Sequence, residues 1–336
     1  MNNNLVDTFH DDLNSLVTNF INEYGLKYEE KEVGLSSSLV RWLDFTTRYI
    51  QPAVREIFYS NVFPKQLDGN ISADLNNIES IIKSGGDINP YQSKGLMIYN
   101  DTSGSKRQAR TDLLFADWGI HHLHLSDSKP ELNEYFSKRS EQLLFCIFGE
   151  DSVGFIDIRH HDEQQLFADS QLVKVIADSW PEYMDRFRVK NMISISGGPQ
   201  TPSETTNLRK SGITSALQID DSVYLAPGMG VTTASTSVRS SMQLIRINRL
   251  INHLANLFYG ENSQYLKDLQ ERGFNNPNFH IALTKDGLCV HERESNQAYV
   301  LSRAQNTAPQ NWISELHDLV LPQWAHEFLL KKSGVV

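Results

Sequence analysis

Three short runs of residues decide the fold of this chain: WGIHHLHL at 118–125, RSEQLLFCIF at 139–148 and SVGFIDIRHH at 152–161. From residue 142 the second run is apolar on both faces, which is typical of a strand inside a sheet. The turn sequence Gly149-Glu150-Asp151 predicts that the second and third runs form an antiparallel hairpin. We therefore expect a small antiparallel sheet with the strand 142–149 at its centre.

Histidine is concentrated at the ends of the first and third strands, which together hold five of the chain's 11 histidines. Side chains alternate between the two faces of a strand, so His122 and His124 share one face. By the same rule, Asp157, Arg159 and His161 share one face of the third strand. If the register brings both sets to the same side, the sheet presents histidines suited to proton transfer near neutral pH.

The segments around this sheet have different patterns. Apolar stripes at helical spacing predict a helical N-terminal region at 1–97, followed by the sheet domain at 98–190. The stretch 191–215 is rich in Ser, Thr, Gly and Pro, which predicts a linker or a mobile loop. The remainder, 216–336, is predicted to be a C-terminal domain.

That C-terminal domain combines helix and strand signals. A long helix is expected after the glycine-rich stretch Pro227 to Thr236, and a final amphipathic helix from about Trp312 to Lys331. Between them, alternating runs at 279–283, 287–291 and 298–301 predict a three-stranded meander. The predicted fold class is therefore α+β: an N-terminal helical region, a central small antiparallel sheet packed by helices, and a C-terminal α+β domain with a three-stranded meander.

Composition limits the classes of partner and location. The net charge of −10 over 336 residues argues against broad, nonspecific binding of nucleic acid, although it allows a local basic groove. No apolar run approaches the ~20 residues of a membrane span, so we expect no membrane contact. The start of the chain has neither the basic nor the apolar segment of a secretory signal, which favours a cytoplasmic location. Cys146 and Cys289 lie outside any CxxC pair and are expected to be reduced and unbonded.

Metal binding is one interpretation of the histidines. His122, His124 and His161, or two histidines with Asp157, have donor types that a metal ion accepts, and a metal-dependent hydrolase is therefore one hypothesis. No recognised zinc-enzyme spacing supports it, because the sequence HERES at 291–295 lacks the second histidine of HExxH. A two-histidine phosphodiesterase is rejected, since the H-x-S match at His124-Leu125-Ser126 has no second copy. No metal and no cofactor are predicted.

Metal-independent RNA cleavage is a second interpretation. The reaction needs a base for the 2′-hydroxyl proton, an acid for the leaving 5′-oxygen and cations for the charge on the phosphorane. Histidines and arginines on one exposed sheet supply all three kinds of group. The candidate catalytic residues are His122, His124, Arg139, Arg159 and His161.

These residues resemble a known family over about residues 98–168. A helical lead-in, then HHLHL, KRSEQLLFCIF, a short turn and VGFIDIRHH, is similar to the RelE/HigB/ParE-type toxin fold. On this resemblance, Arg139 corresponds to the arginine that begins one strand of the family's sheet. Arg159, His160 and His161 correspond to the basic end of the hairpin strand that follows it. It implies a metal-independent endoribonuclease that acts on RNA, with a role as a toxin or in bacterial defence. The chain departs from the family in being long and acidic.

The stretch Pro227 to Thr236 is a second candidate site. It opens a helix with glycines and hydroxyl groups, and a helix start with free N–H groups attracts anions. No lysine follows the glycines, so it is not a nucleoside-triphosphate P-loop. The candidate contacts to an anion or another ligand are Ser235, Thr236 and Arg239.

The leading hypothesis is a toxin-like endoribonuclease whose flanking domains regulate it or recruit its target, with RNA and a regulatory protein as partners. One alternative is a non-enzymatic protein that binds a ligand or partner and in which the histidine sheet is structural. A second alternative is the metal-dependent hydrolase. The sequence makes no prediction about oligomeric state.

Overall fold

A computed structural model describes residues 3–28, 37–97, 110–126, 134–194, 200–301 and 311–332. The helices are α1 Asn3–Glu23, α2 Ser38–Arg48, α3 Gly69–Ser84, α4 Leu113–Trp118, α5 Gln171–Ser179, α6 Pro181–Asp185, α7 Pro202–Lys210, α8 Val238–Tyr259, α9 Gln264–Glu271, α10 Asn311–Val320 and α11 Gln323–Lys332. The strands are β1 Glu56–Tyr59, β2 His121–His124, β3 Gln142–Phe148, β4 Ser152–His160, β5 Leu217–Ile219, β6 Ser222–Tyr224, β7 Phe279–Thr284, β8 Gly287–Glu292 and β9 Gln297–Val300. The predicted α+β fold class is confirmed.

The chain forms two compact units. One unit combines Met1–Thr46 with Ser240–Val336, and the other comprises Thr47–Arg239. The first contains α1 and the meander β7-β8-β9, and the second contains the sheet that carries the histidines. The division into four segments at 1–97, 98–190, 191–215 and 216–336, which the sequence led us to expect, stays a prediction.

The sheet of the second unit has the strand order β1-β4-β3-β2. β3 pairs antiparallel with both β2 and β4, so the prediction of an interior strand at 142–149 is confirmed. β1 pairs with β4 in parallel, Glu56 opposite Ser152 and Tyr59 opposite Phe155, and the sequence did not predict this strand. It lies within the N-terminal region that was expected to be helical, and it makes the sheet mixed.

Both faces of this sheet are covered, which explains why β3 is apolar on both sides. On one face, Leu144 and Cys146 of β3 share a core with Leu75, Ile78 and Ile82 of α3. On the other, Leu143 and Phe145 pack with Leu172, Val173 and Ile176 of α5. The histidines of β2 therefore lie in a sheet with little open surface, and burial dominates their chemistry.

The segment expected to be a linker contains a helix. Residues 195–199 of the predicted loop lie outside the described residues, but α7 begins directly after Thr201. The hydroxyl of Thr201 accepts from the Glu204 backbone N–H, and the Glu204 carboxylate accepts from the Thr201 N–H, which is a capping box. Pro202 stands in the first turn, where its missing N–H costs nothing.

In the first unit, α1 packs on the meander through a carboxylate. Asp12 accepts hydrogen bonds from the Ile281 backbone N–H at 2.9 Å and contacts the Nδ1 atom of His280 at 3.0 Å. The meander follows the predicted pattern, with a turn at Gly287, whose φ is +109°. The predicted single helix at 312–331 is two helices, because Pro322 separates α10 from α11 and cannot donate a backbone hydrogen bond.

Two further expectations are tested by the structure. Cys146 and Cys289 are both free and buried, so the prediction that they are not bonded to each other is confirmed. Within the described residues, every helix is too short or too polar to cross a lipid bilayer.

Candidate active site

The strand register decides which side of the sheet each predicted residue occupies. His122 pairs with Phe145, and Phe145 pairs with Asp157. His124 likewise pairs with Leu143, which pairs with Arg159. Residues directly opposite each other on neighbouring strands lie on the same face. The predicted polar set therefore shares one face, which we call the histidine face: His122, His124, Asp157, Arg159 and His161.

Three histidines form a chain of rings on the histidine face. The ring centroids of His122 and His124 are 6.4 Å apart, and those of His124 and His161 are 6.3 Å apart and stacked. The Phe167 ring covers this chain, at 5.1 Å from His122 and 6.0 Å from His161. His124 is buried, His122 has 12% of its side chain exposed and His161 has 32%. The cluster is thus closed at His124 and open at His161.

Arg139 joins this cluster at its open end. Its Nη2 atom lies 3.1 Å from the Nε2 atom of His161. A guanidinium group only donates, so the Nε2 atom of His161 accepts, and a neutral His161 ring carries its proton on Nδ1. Arg139 is exposed, which leaves its other donors available to an anion.

Arg159 has a different environment from Arg139. Its guanidinium lies 2.7 Å from Glu163 and 3.4 Å from both Asp157 and Asp169. Three carboxylates surround this cation, and hydrogen bonding to Glu163 and the charges of Glu163 and Asp157 raise its pKa against the effect of burial. Arg159 therefore shares the face with the histidines but is held in an ion-pair network.

The structure adds Asp112, which sequence reasoning missed. Asp112 is the N-cap of α4: its Oδ1 atom accepts from the Leu114 and Phe115 backbone N–H groups at 3.0 and 3.1 Å. Its Oδ2 atom lies 3.5 Å from the Nδ1 atom of His122. The signal was present, since an aspartate before the run LLFA is a common helix start. Its proximity to His122 follows only from the fold.

Burial sets the protonation of the β2 histidines. It lowers the pKa of His124 to about 4, against a weaker opposing effect of the Ser140 carbonyl. It also lowers the pKa of His122, although the Asp112 carboxylate opposes the change. Both rings are therefore neutral at pH 7, in the form that accepts a proton or a metal ion.

His121 points to the opposite face and has a structural environment. Its ring lies 4.5 Å from that of Phe115 and 5.5 Å from that of Phe148. Burial lowers its pKa to about 3. His160, also on the opposite face of β4, has its Nε2 atom 3.4 Å from Glu141.

For a metal ion, the described parts of the chain contain no group of three or more His, Cys, Asp or Glu side chains arranged as ligands. The metal-dependent hydrolase therefore stays a hypothesis, and the described residues provide no set of metal ligands to support it.

The glycine-rich stretch before α8 packs against the end of α4. The Gly228 and Gly230 backbone N–H groups donate to the carbonyl oxygens of Asp117 and Ala116 at 2.9 and 2.7 Å. A Cβ atom at Gly228 would lie 2.3 Å from the Phe115 carbonyl oxygen, so only glycine allows this approach. These glycines therefore have a packing role.

The three candidate ligand contacts of this stretch have separate environments. Ser235 is buried with a φ of +61°, and the Thr236 hydroxyl lies 2.8 Å from that of Thr232. The Arg239 guanidinium lies 5.8 Å from the centre of the Phe115 ring. Anion or ligand binding by Ser235, Thr236 and Arg239 stays a prediction.

Comparison of the chain with protein-family models, with curated proteins and with solved structures gave no match. The geometry of the histidine face is therefore the basis on which a function can be proposed for this chain.

Proposed function

We propose that this chain is a metal-independent, toxin-like endoribonuclease that acts at the histidine face. The observation that carries the proposal is the meeting of Arg139, His122, His124 and His161, which come from three separate stretches of sequence. A cluster of titratable side chains that the fold brings together beside a cation, with one end open to solvent, is the usual content of an acid–base site. The resemblance to RelE/HigB/ParE-type toxins over residues 98–168 favours RNA as the substrate.

The reaction requires no group beyond RNA and these side chains. The 2′-oxygen attacks the neighbouring phosphorus, a 2′,3′-cyclic phosphate forms, and the 5′-oxygen leaves with a proton. The neutral rings of His122 and His124 can take the 2′-hydroxyl proton. Arg139 would hold the phosphate oxygens, and this would release the Nε2 atom of His161 to carry a proton to the leaving oxygen.

The remaining regions of the chain would influence this site without forming part of it. In this proposal the flanking regions regulate the nuclease or recruit its target, and a separate regulatory protein restrains it in the cytoplasm. A toxin role in bacterial defence is the context that the resemblance implies. The net charge of −10 favours a restricted set of RNA targets, since it opposes nonspecific binding of RNA.

The test is incubation with total RNA in the presence of a chelator. Wild-type protein should cleave RNA under these conditions, with a bell-shaped pH dependence because one group must be neutral and another protonated. His122→Ala, His124→Ala and His161→Ala should each lose roughly 10²–10⁴-fold in rate, the usual size of a general acid–base contribution. Arg139→Ala should lose roughly 10²–10³-fold, because it removes a cation that stabilises charge on the phosphate. The exposed residues Arg293 and His253 provide matched controls, and Arg293→Ala and His253→Ala should cleave like wild type.

A second candidate function is supported by a specific observation: the histidines already have partners within the protein. His122 lies beside Asp112 and Phe167, and the Nδ1 atom of His124 lies 3.2 Å from the Ser140 carbonyl oxygen. In a non-enzymatic binding protein these contacts would only support the sheet. Wild-type protein would then leave RNA intact, and His124→Ala would lower the free energy of unfolding instead of a rate.

A further inference from the structure

One carboxylate on the histidine face is placed to orient a histidine. Asp112 uses its Oδ1 atom to cap α4, through the Leu114 and Phe115 N–H groups. These two bonds fix the side chain, and they leave the Oδ2 atom free to face the Nδ1 atom of His122 at 3.5 Å. The carboxylate is thus held in place by the backbone before it contacts the imidazole.

The Nε2 atom of His122 has a different environment from its Nδ1 atom. Among the described residues, no hydrogen bond reaches the Nε2 atom of His122, and the centres of the His124, Phe145 and Phe167 rings lie 5.1 to 6.4 Å from the centre of its ring. A carboxylate accepts only, so it favours the tautomer whose proton lies on Nδ1. The Nε2 atom then keeps its lone pair, as a general base requires.

Burial and the surrounding charges together leave Asp112 ionised and His122 neutral at pH 7. Burial alone would raise the pKa of Asp112, but His122, Arg48 and the Phe115 N–H outweigh it and lower the value. Burial lowers the pKa of His122; Asp112 opposes this effect, while Arg48, His161 and Arg139 add to it. An ionised carboxylate beside a neutral imidazole is the charge state in which an aspartate can orient a base and stabilise the cation that it becomes.

We infer that Asp112 is the positioning residue of the proposed nuclease, holding His122 as the Nδ1–H tautomer so that its Nε2 atom takes the 2′-hydroxyl proton of RNA. This inference depends on the proposed function for its substrate, but the orientation of His122 stands on the contacts of Asp112 alone. The dyad makes His122 the base and leaves Arg139 and His161 for the phosphate and the leaving oxygen.

The decisive variant is Asp112→Asn, because asparagine caps helices as well as aspartate does. Its Oδ1 atom can keep both backbone bonds, so the fold should be retained. Its amide nitrogen would then face Nδ1 of His122 and donate to it, which moves the ring proton to Nε2 and blocks the base. Asp112→Ser keeps a cap but does not reach His122, and it should allow both tautomers.

Two measurements follow from this design. Nitrogen chemical shifts of the His122 ring should show the proton on Nδ1 in wild type, on Nε2 in Asp112→Asn, and on both in Asp112→Ser. In RNA cleavage, Asp112→Asn should lower kcat by roughly 10²–10⁴-fold with little change in KM, and Asp112→Ser should lower it less. Asp185→Asn, at an exposed aspartate of the same unit, is the control and should match wild type.

The outcomes separate this inference from the proposed function. If wild type cleaves RNA and Asp112→Asn cleaves equally fast, the positioning role is wrong although the nuclease stands. If the wild-type ring carries its proton on Nε2, the inferred orientation is wrong whatever the activity. If wild type does not cleave RNA, the proposed function fails and with it the catalytic use of the dyad, while the nitrogen shifts still decide the orientation.

Discussion

At the scale of single residues, burial changes what a histidine can do. His121, His122 and His124 are neighbours in one strand, and burial lowers the pKa of each below 6.5. Their partners differ: His121 lies between two phenylalanines, His122 beside a carboxylate, and His124 against a backbone carbonyl. The same residue type therefore has a structural role on one face and a candidate catalytic role on the other.

The lowered pKa of His124 predicts acid sensitivity of the fold. Its pKa is 6.5 in the unfolded reference and about 4 in the folded protein. Between these values the unfolded chain binds more protons, so stability is complete above pH 6.5 and falls as the pH is lowered toward 4. At pH 5 this residue alone should remove roughly 2 kcal/mol from the free energy of unfolding.

Urea unfolding at pH 7.5 and pH 5 measures this loss. His124→Gln, which can still donate to the Ser140 carbonyl, should show a smaller loss than wild type over the same interval. His253→Gln is the control, because His253 is exposed, and it should retain the wild-type dependence. An equal loss in wild type and His124→Gln would contradict the prediction.

At the scale of secondary-structure elements, one buried ion pair attaches α7 to α4. The Arg209 Nε atom lies 2.7 Å from the Asp117 Oδ2 atom, and both side chains are less than 10% exposed. The guanidinium also lies 4.1 Å from the centre of the Trp118 ring and donates to the Phe167 carbonyl. Phe167 covers the histidine face, so this helix supports the candidate site although its sequence predicted a linker.

Removing one partner of this pair should be costly. Arg209→Met would leave Asp117 buried without its counter-charge, which typically costs about 3–5 kcal/mol of unfolding free energy. The double variant Arg209→Met, Asp117→Leu buries no charge and should recover much of that loss. Arg246→Ala breaks an exposed pair with Glu315 and should change stability little.

Chemical denaturation of the three variants provides the measurement. Since Phe167 contacts both Arg209 and His161, Arg209→Met should also change the environment of the His161 ring. A loss in Arg209→Met no larger than that in Arg246→Ala would show that the pair does not hold α7.

At the scale of the whole molecule, each compact unit contains one buried cysteine. Cys146 lies in β3 of the second unit and Cys289 in β8 of the first, and both side chains are fully buried. Burial raises the pKa of both thiols, which makes them unreactive as well as inaccessible. Each thiol therefore reports whether its own unit is folded.

We expect neither cysteine to react with an uncharged alkylating reagent in native conditions, and each to react once its unit unfolds in increasing urea. Peptide mass measurement after a short labelling pulse distinguishes the two sites. Cys146→Ser and Cys289→Ser assign the two signals independently. Rapid labelling of the native protein, or an intact mass with two hydrogens fewer in non-reducing conditions, would contradict the buried, unbonded thiols.

Short stretches of sequence were sufficient to predict the strands and helices whose formation depends on residues adjacent in the chain. The hairpin of β3 and β4 follows from apolar runs around a short turn, and the meander from alternation and the turn at Gly287. The capping box that starts α7 is also local, but the Ser-, Thr-, Gly- and Pro-rich composition around it predicts a linker. The strand β1 has only four residues, and it exists because β4 pairs with it from almost 100 positions away.

For the candidate site, too, one part follows from short stretches of sequence and another part follows only from the fold. Alternation within one strand placed His122 with His124, and Arg159 with His161, because a period of two residues is a property of any extended backbone. The register between β2, β3 and β4 put both sets on one face, and it depends on bonds between strands that no single stretch encodes. Asp112 beside His122, and three carboxylates around Arg159, likewise come from packing of distant segments. The sequence therefore specified which residues could carry protons, and the folded chain specified their neighbours, because burial and charge act through space.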